Sequence, residues 1–410
     1  MGRKFAQIPR GSHRGGGAGT GSGRHNSGMR VLVAPNTFKG SLTAGAVAHL
    51  VSTGLAHRLP GVHVTELPIA DGGDGTISVL IAAGFDGEPV DTVDALLCAT
   101  KSQVARQAAT VVIELAEICG LAGVKDRPPR PWDTSTQGVG LAAHAALVGG
   151  AKELLLAVGG SASVDGGLGL LAGLGYGLFD ANGDKVPPTA KGLARIWSIT
   201  PPADERLLNS CTWTVLVDVD SPACGPHGAA QVFGPQKGFT EDECFRLDTA
   251  MGRWCDIVSR FGGRFSVGEL QQLPGAGAAG GFAVAASGVL GASIRSGAEV
   301  LAQLTNLAGA VAAADAVIIG EGRLDEQTLA GKGPAFVASI AKAAGKPVFA
   351  LAGSSALNAT QLLELGIKSE LDVVTLAEAA GSVSAALANP RHWVTVACDA
   401  LGGRLAASGL

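Results

Sequence analysis

Four consecutive apolar residues, Ala316-Val317-Ile318-Ile319, run straight into Gly320-Glu321-Gly322-Arg323-Leu324-Asp325-Glu326-Gln327-Thr328-Leu329-Ala330-Gly331-Lys332. The apolar run reads as a buried strand and the glycine-punctuated stretch after it as a loop. Open α/β sheets place their ligands beyond the carboxyl ends of such strands. The acids Glu321 and Asp325, with Arg323 and Lys332, are groups of the kind that hold Mg²⁺ and phosphate.

The same grammar recurs at both ends of the chain. Residues 30–35 (RVLVAP) read as a buried strand, followed by the loop Asn36-Thr37-Phe38-Lys39-Gly40-Ser41. A helix capped near Ser41 or Thr43 comes next, with Val47, Leu50, Val51 and Leu55 on one face. A second strand over 63–69 ends in Ala70-Asp71-Gly72-Gly73-Asp74-Gly75-Thr76, before a helix carrying Ile77, Leu80 and Ile81. Toward the C-terminus, strands at 316–319, 348–352 and 373–376 alternate with helices. One helix starts at Pro334 and another is capped by Asn389, with Pro390 after it.

Between about 82 and 273 the chain carries short strands (110–115, 154–158, 213–217), long loops, and a helix from a cap at Thr134 or Ser135 to Leu147. At 410 residues the chain exceeds one ordinary core. The expected architecture is α/β: a Rossmann-like parallel-sheet domain built from both chain ends, 29–70 and 290–410, with a second α/β domain, 71–289, inserted. Residues 1–28, rich in Gly and Ser with Arg3, Lys4, Arg10, Arg14 and Arg24 and no acid, read as a disordered tail. They lack the apolar segment of a secretory signal.

Several function classes are disfavoured. A net charge of −4 and an aromatic content of 4% give neither the electrostatic footprint nor the stacking platform of a nucleic-acid binder. Seven scattered cysteines, none in a CxxC pair, argue against a disulfide framework or a zinc site and fit a reducing compartment. No run of about 18 apolar residues suggests a membrane span, so the expected location is cytoplasmic. There is no Walker A sequence, HExxH pair or GxSxG elbow.

The remaining glycine-rich stretches carry the other candidate groups. Gly275-Ala276-Gly277-Ala278-Ala279-Gly280 matches GxGxxG but follows Gln-Gln-Leu-Pro rather than a strand. It reads as a glycine-rich helix start that lets an anion or another helix approach. Asp71 and Asp74 fit Mg²⁺ binding or hydroxyl activation. Gly159-Gly160-Ser161-Ala162-Ser163-Val164-Asp165 can offer N–H and O–H donors to a phosphate or carboxylate. Asp218 and Asp220 follow an apolar strand, and Lys237 sits in the turn Phe233-Gly234-Pro235-Gln236-Lys237-Gly238.

Taken in order, these segments, with Pro274 to Gly281 and 320–332, resemble the glycerate kinase family, which phosphorylates glycerate with ATP without a P-loop. The resemblance runs from Met29 to the C-terminus. It implies a Rossmann-like domain interrupted by a second α/β domain, with the active site in the cleft between them. It also implies transfer of the ATP γ-phosphoryl group to D-glycerate, with 2-phosphoglycerate the favoured product. Mg²⁺ and ATP are the implied cofactors, and a monomer or homodimer is the expected state.

Residues and resemblance together assign catalysis to Lys39, Asp71, Asp165 and Asp218. Nucleotide and phosphate binding falls to Ser41, Gly159, Gly160, Ser161, Lys237, Gly275, Gly277, Arg323 and Lys332, and metal ligation to Asp74, Glu321 and Asp325. The family usually has Asp where Asn36 stands, Glu at Asp74 and Asn at Val164. The alternatives are a kinase of another small hydroxy acid, a nucleotide- or anion-binding regulator without turnover, and a dinucleotide-dependent oxidoreductase built on the Gly275 match.

Overall fold

The structure is a computed structural model that describes residues 28–330 and 333–409. Lys332 and almost all of the 1–28 tail lie outside the described residues.

Two sheets organise the chain. The first is entirely parallel, in the order β13-β12-β11-β1-β2, from β1 (Arg30–Pro35), β2 (His63–Glu66), β11 (Ala316–Leu324), β12 (Val348–Ser355) and β13 (Val373–Thr375). It is thus built from both ends of the chain. Successive residues of its strands feed opposite cores. Val31 and Val33 pack with Val47, Val51 and Leu55 of the helix Ala44–Arg58 and with Leu401 of Pro390–Ala407. Leu32 and Ala34 pack with Val311 of Leu307–Ala313 and Val337 of Pro334–Ala343. Both faces are covered, so the strands read as continuous apolar runs rather than alternating ones.

The second sheet has the order β10-β9-β6-β5-β4-β3. Its strands are β3 (Asp86–Val93), β4 (Ala99–Gln107), β5 (Thr110–Glu114), β6 (Glu153–Ala157), β9 (Thr212–Val217) and β10 (Ser293–Ser296). Pairing is parallel from β10 to β5 and antiparallel from β5 to β3. The ribbon β7 (Gly177–Phe179) and β8 (Ser198–Thr200) stands apart. The fold is the expected α/β one, a Rossmann-like sheet from both chain ends with a second α/β unit inserted.

Details depart from the sequence reading. The strand expected at 316–319 runs on to Leu324, because β12 keeps pairing with it through Arg323↔Ser354 and Leu324↔Ser355. Glu321 and Arg323 therefore project from a strand end rather than a loop. The strand β10, inside the range given to the first domain, pairs with β9. The chain thus returns to the first sheet only after Ser296.

Thr43 caps the first helix, accepting from the Ala46 N–H, whereas Asn389 stands at the N-cap of the last helix with no side-chain bond. The central helix starts at Gln137, after Thr136 rather than Thr134 or Ser135. Its neighbours are engaged elsewhere: Ser135 Oγ donates to the Pro188 carbonyl and Thr136 Oγ1 to Asp165.

Candidate active site

The carboxyl ends of the parallel strands open into a cleft with two chambers. The first, about 650 Å³, lies beyond β1, β11 and β12 and is lined by Ser41, Glu321, Arg323, Asp325, Thr328 and Ser354, among others. The second, about 590 Å³, lies beyond β6 and β9 and is lined by Gly72 to Asp74, Gly159 to Ser161, Asp218 and Lys237, among others. Asn36, Thr37, Lys39 and Asp71 line both. The junction of the chambers is therefore built from the two loops that follow β1 and β2.

A tight turn sets the position of Lys39. The Asn36 N–H donates to the Gly320 carbonyl at 2.7 Å and the Thr37 N–H to Asn36 Oδ1 at 2.7 Å. The Phe38 N–H donates to the Leu42 carbonyl, and the Ser41 N–H and Oγ both donate to the Phe38 carbonyl. Phe38 is buried in the first core, so the next side chain, Lys39, is turned outward and exposed. Gly40 takes φ +76°, a conformation that suits glycine.

Opposite Lys39, Glu321 is largely shielded from solvent. Burial pushes its carboxyl up to about 7, Asp325 and Asp71 add to that, and the bond from Thr328 Oγ1 (2.5 Å) and the charge of Lys39 oppose it. Asp325 pairs with Arg323 at 3.3 Å and accepts from the Gln327 N–H. Carboxylates crowded in one chamber, with a lysine and an arginine nearby, suit Mg²⁺ held by one or two acids together with phosphate oxygens and water. Among the described residues, no three acids, histidines or cysteines are grouped to hold a metal by themselves. Asp74 is not in that chamber. It lines the second one, so the expected trio of Asp74, Glu321 and Asp325 is divided.

The loops of the second chamber are held together by close backbone approach. The Gly159 N–H donates to the Gly72 carbonyl at 2.9 Å. A Cβ at Gly159 would stand 2.6 Å from the Gly73 Cα. That glycine is needed so that the loops after β2 and β6 can touch, and its N–H is already used. Gly160 takes φ +72° beside Asp74, and its carbonyl accepts from the Leu121 N–H. Below them, Lys237 Nζ donates to Ser161 Oγ at 2.7 Å and to the Ser163 carbonyl at 2.6 Å. Burial pulls this lysine down to about 7, and Asp165 partly offsets the effect.

Three expected site residues lie away from both chambers. Asp165 is completely buried. Its carboxylate accepts from the Thr136 N–H and Oγ1 and from the N–H groups of Gly167 and Gly169, at 2.7 to 3.2 Å. It joins two helix starts beneath the cleft instead of facing a substrate. Gly275 packs on Val217 and Ile294, and the Gly277 N–H donates to the Ser221 carbonyl, so close packing explains both. Ala278 and Ala279 of that motif do reach the second chamber. Asp218 lines it too, with Oδ1 accepting from Ser296 Oγ at 3.1 Å.

Glu114 was not read from the sequence. It accepts from the Gly75 and Ile77 N–H groups at 2.8 Å, fixing the loop that carries Asp71 and Asp74. Burial pushes its carboxyl up to about 7, against those two bonds. A lone acid at a strand end carries no motif. Val164, where the resembling family has Asn, is fully buried in the core.

The Lys237 environment predicts a pH effect. The unfolded lysine keeps its proton up to its ordinary value of 10.5, whereas the folded one releases it near 7. Between those values the unfolded state binds more protons, so this group makes stability rise with pH, by at most about 1.4 kcal/mol per pH unit. Below that window both states are protonated and the slope vanishes. Urea melts across the window are expected to show wild-type stability gaining on Lys237→Met as pH rises. Parallel pH profiles for the two proteins would mean that Lys237 is not depressed.

The model of the glycerate kinase family matches residues 31–405. The chain is 34% identical over 357 residues to the glycerate kinase of Bacillus subtilis, covering 84% of this chain and 90% of that one. It is 33% identical to the glycerate 2-kinase of Escherichia coli, covering 85% of this chain and 91% of that one. A crystal structure from Salmonella typhimurium LT2, provisionally described as glycerate kinase 2, superposes with a TM-score of 0.77. That structure is 32% identical, with coverage of 93% of this chain and 99% of that one.

Proposed function

The chain belongs to the glycerate kinase family, and from that premise and the two-chambered cleft we propose that it transfers the γ-phosphoryl group of ATP to D-glycerate, giving 2-phosphoglycerate and ADP. One observation carries the reading: Asn36, Thr37, Lys39 and Asp71 are shared by two chambers, each at the carboxyl ends of parallel strands. Two substrates held in separate chambers would react where the chambers meet. In-line transfer forms the bond from the glycerate oxygen to the γ-phosphorus and breaks the bond to the bridging oxygen of ADP. Asp71 would receive the hydroxyl proton. Lys39 would stabilise the charge spread over the transferring group, so positioning and electrostatics carry the catalysis. Glu321 and Asp325 would hold Mg²⁺, which when bound supplies further neutralisation of phosphate charge.

The domain division belongs to the same proposal: 29–70 with the C-terminal segment, and 71–289 inserted. The return crossing, expected at 290, moves past β10 to follow Ser296. Cytoplasmic action as a monomer or homodimer is proposed with it. Among the described residues no helix is long and apolar enough to cross a membrane.

The test is phosphorus NMR of the product formed from ATP, Mg²⁺ and D-glycerate. Phosphate on the 2-oxygen couples to one proton, whereas phosphate on the 3-oxygen couples to two. ADP release with lactate, tartronate or glycolate but not with glycerate would move the assignment to another hydroxy acid. Nucleotide binding without ADP release would favour the regulator.

A further inference from the structure

We propose that the first chamber takes the nucleotide, with the purine lying on an apolar shelf formed by Val383, Leu387 and Pro390 over the buried Leu376 and Ala386, and that glycerate takes the second. This rests on the kinase reading above and divides its substrates between the chambers. The shelf residues line the same chamber as Lys39, Glu321, Arg323 and Asp325. Val383 and Leu387, four positions apart on the short helix Val383–Ala388, are 51% and 56% exposed. That spacing sets them on one side of the helix.

A chamber that is apolar at one wall and carries cations and acids elsewhere matches a nucleotide in kind. The base offers two apolar faces, while the phosphates and their divalent cation need charged partners. Its volume of about 650 Å³ lies within the usual range for such ligands.

The second chamber has apolar lining of its own, from Leu121, Val158, Val219 and Phe233 among others, and differs in its polar groups. Lys125, Ser161, Gln236 and the buried Lys237 offer donors, and Asp74 and Asp218 offer acceptors. A three-carbon acid with two hydroxyls can engage both kinds of group. A purine there would leave the exposed Val383 and Leu387 of the first chamber uncovered. Between the two sites, Lys39 and Asp71 stand where the γ-phosphoryl group would meet the hydroxyl.

The experiment uses the full chain with Leu387→Asp and, separately, Val383→Asp. Both side chains are half exposed, so the variants are expected to melt like wild type. ADP with Mg²⁺ is titrated by calorimetry, and KM is measured for ATP and for glycerate. A tenfold or greater rise in the Kd for ADP and the KM for ATP is expected, with the KM for glycerate changed less than twofold. Unchanged ADP affinity in both folded variants, or a rise confined to the KM for glycerate, would overturn the assignment. ADP calorimetry needs no turnover, so the shelf can fail while wild-type kinase activity stands. If instead wild type makes no phosphoglycerate, the function fails, and loss of ADP affinity in the variants still supports the shelf.

Discussion

Lys39→Met is expected to lower turnover a hundredfold or more while leaving the melting temperature within a degree or so of wild type. Lys39 is exposed at the tip of a turn whose anchor is the neighbouring Phe38, so removing its charge disturbs little packing. Its side chain lines both chambers, where a transferring phosphoryl group would pass. A group that acts mainly on charge developing in the transition state contributes about 3 kcal/mol, which is a little over a hundredfold in rate. Steady-state kinetics with saturating ATP and glycerate check this. Near-normal kcat in the folded variant would reduce Lys39 to a surface lysine. The same variant should push the Glu321 carboxyl higher still, since the charge of Lys39 opposes the rise in that group.

Asp165→Ala is expected to unfold the protein at markedly lower temperature rather than to remove a catalytic group. Its carboxylate occupies four donors: the Thr136 N–H and hydroxyl and the Gly167 and Gly169 N–H groups. Alanine would leave buried donors unpaired and deprive the buried Lys237 of a favourable nearby charge. Losses of this kind cost about 3–5 kcal/mol. Asp165→Asn, which keeps one acceptor oxygen, should be milder. Thermal and urea melts read the effect. A variant with wild-type melting behaviour and abolished kcat would restore Asp165 to the chemistry.

The reassignment of Asp165 marks where sequence reading stops. Both the acid and its glycine-rich surroundings are visible in Gly159 to Gly167, but its principal partner, Thr136, lies 29 residues away. Position in sequence does not say whether an acid at a strand end points into a cleft or under it. Gly159, Gly275 and Gly277 make the same point. A glycine that admits a phosphate and one that admits another loop look alike until the neighbouring backbone is in place. In this protein the neighbours are Gly72 and Gly73, Val217 and Ile294, and Ser221 and Pro222.

Other omissions had a readable signal. Thr240 and Glu243 form a capping box at the start of the helix Glu241–Gly262, whose Cys244, Leu247, Met251, Trp254 and Val258 are buried at helical spacing. The β3–β4 ribbon offered much less. It carries Pro89 and a series of charged and polar residues along exposed strands at the sheet edge, so its apolar pattern is faint.

By itself, the sequence determined the alternation of buried strands and helices, the α/β class and the loops that carry charge. Each of these follows from local patterns: apolar runs covered on both faces, caps, and glycines at strand ends. Tertiary structure alone decided that β11 extends to Leu324, that Asp74 parts from Glu321 and Asp325, and that Lys39 and Asp71 stand where two chambers join. Those outcomes depend on which strands pair and how closely two loops approach. Both are set by contacts between residues far apart in the chain, and no local pattern encodes them.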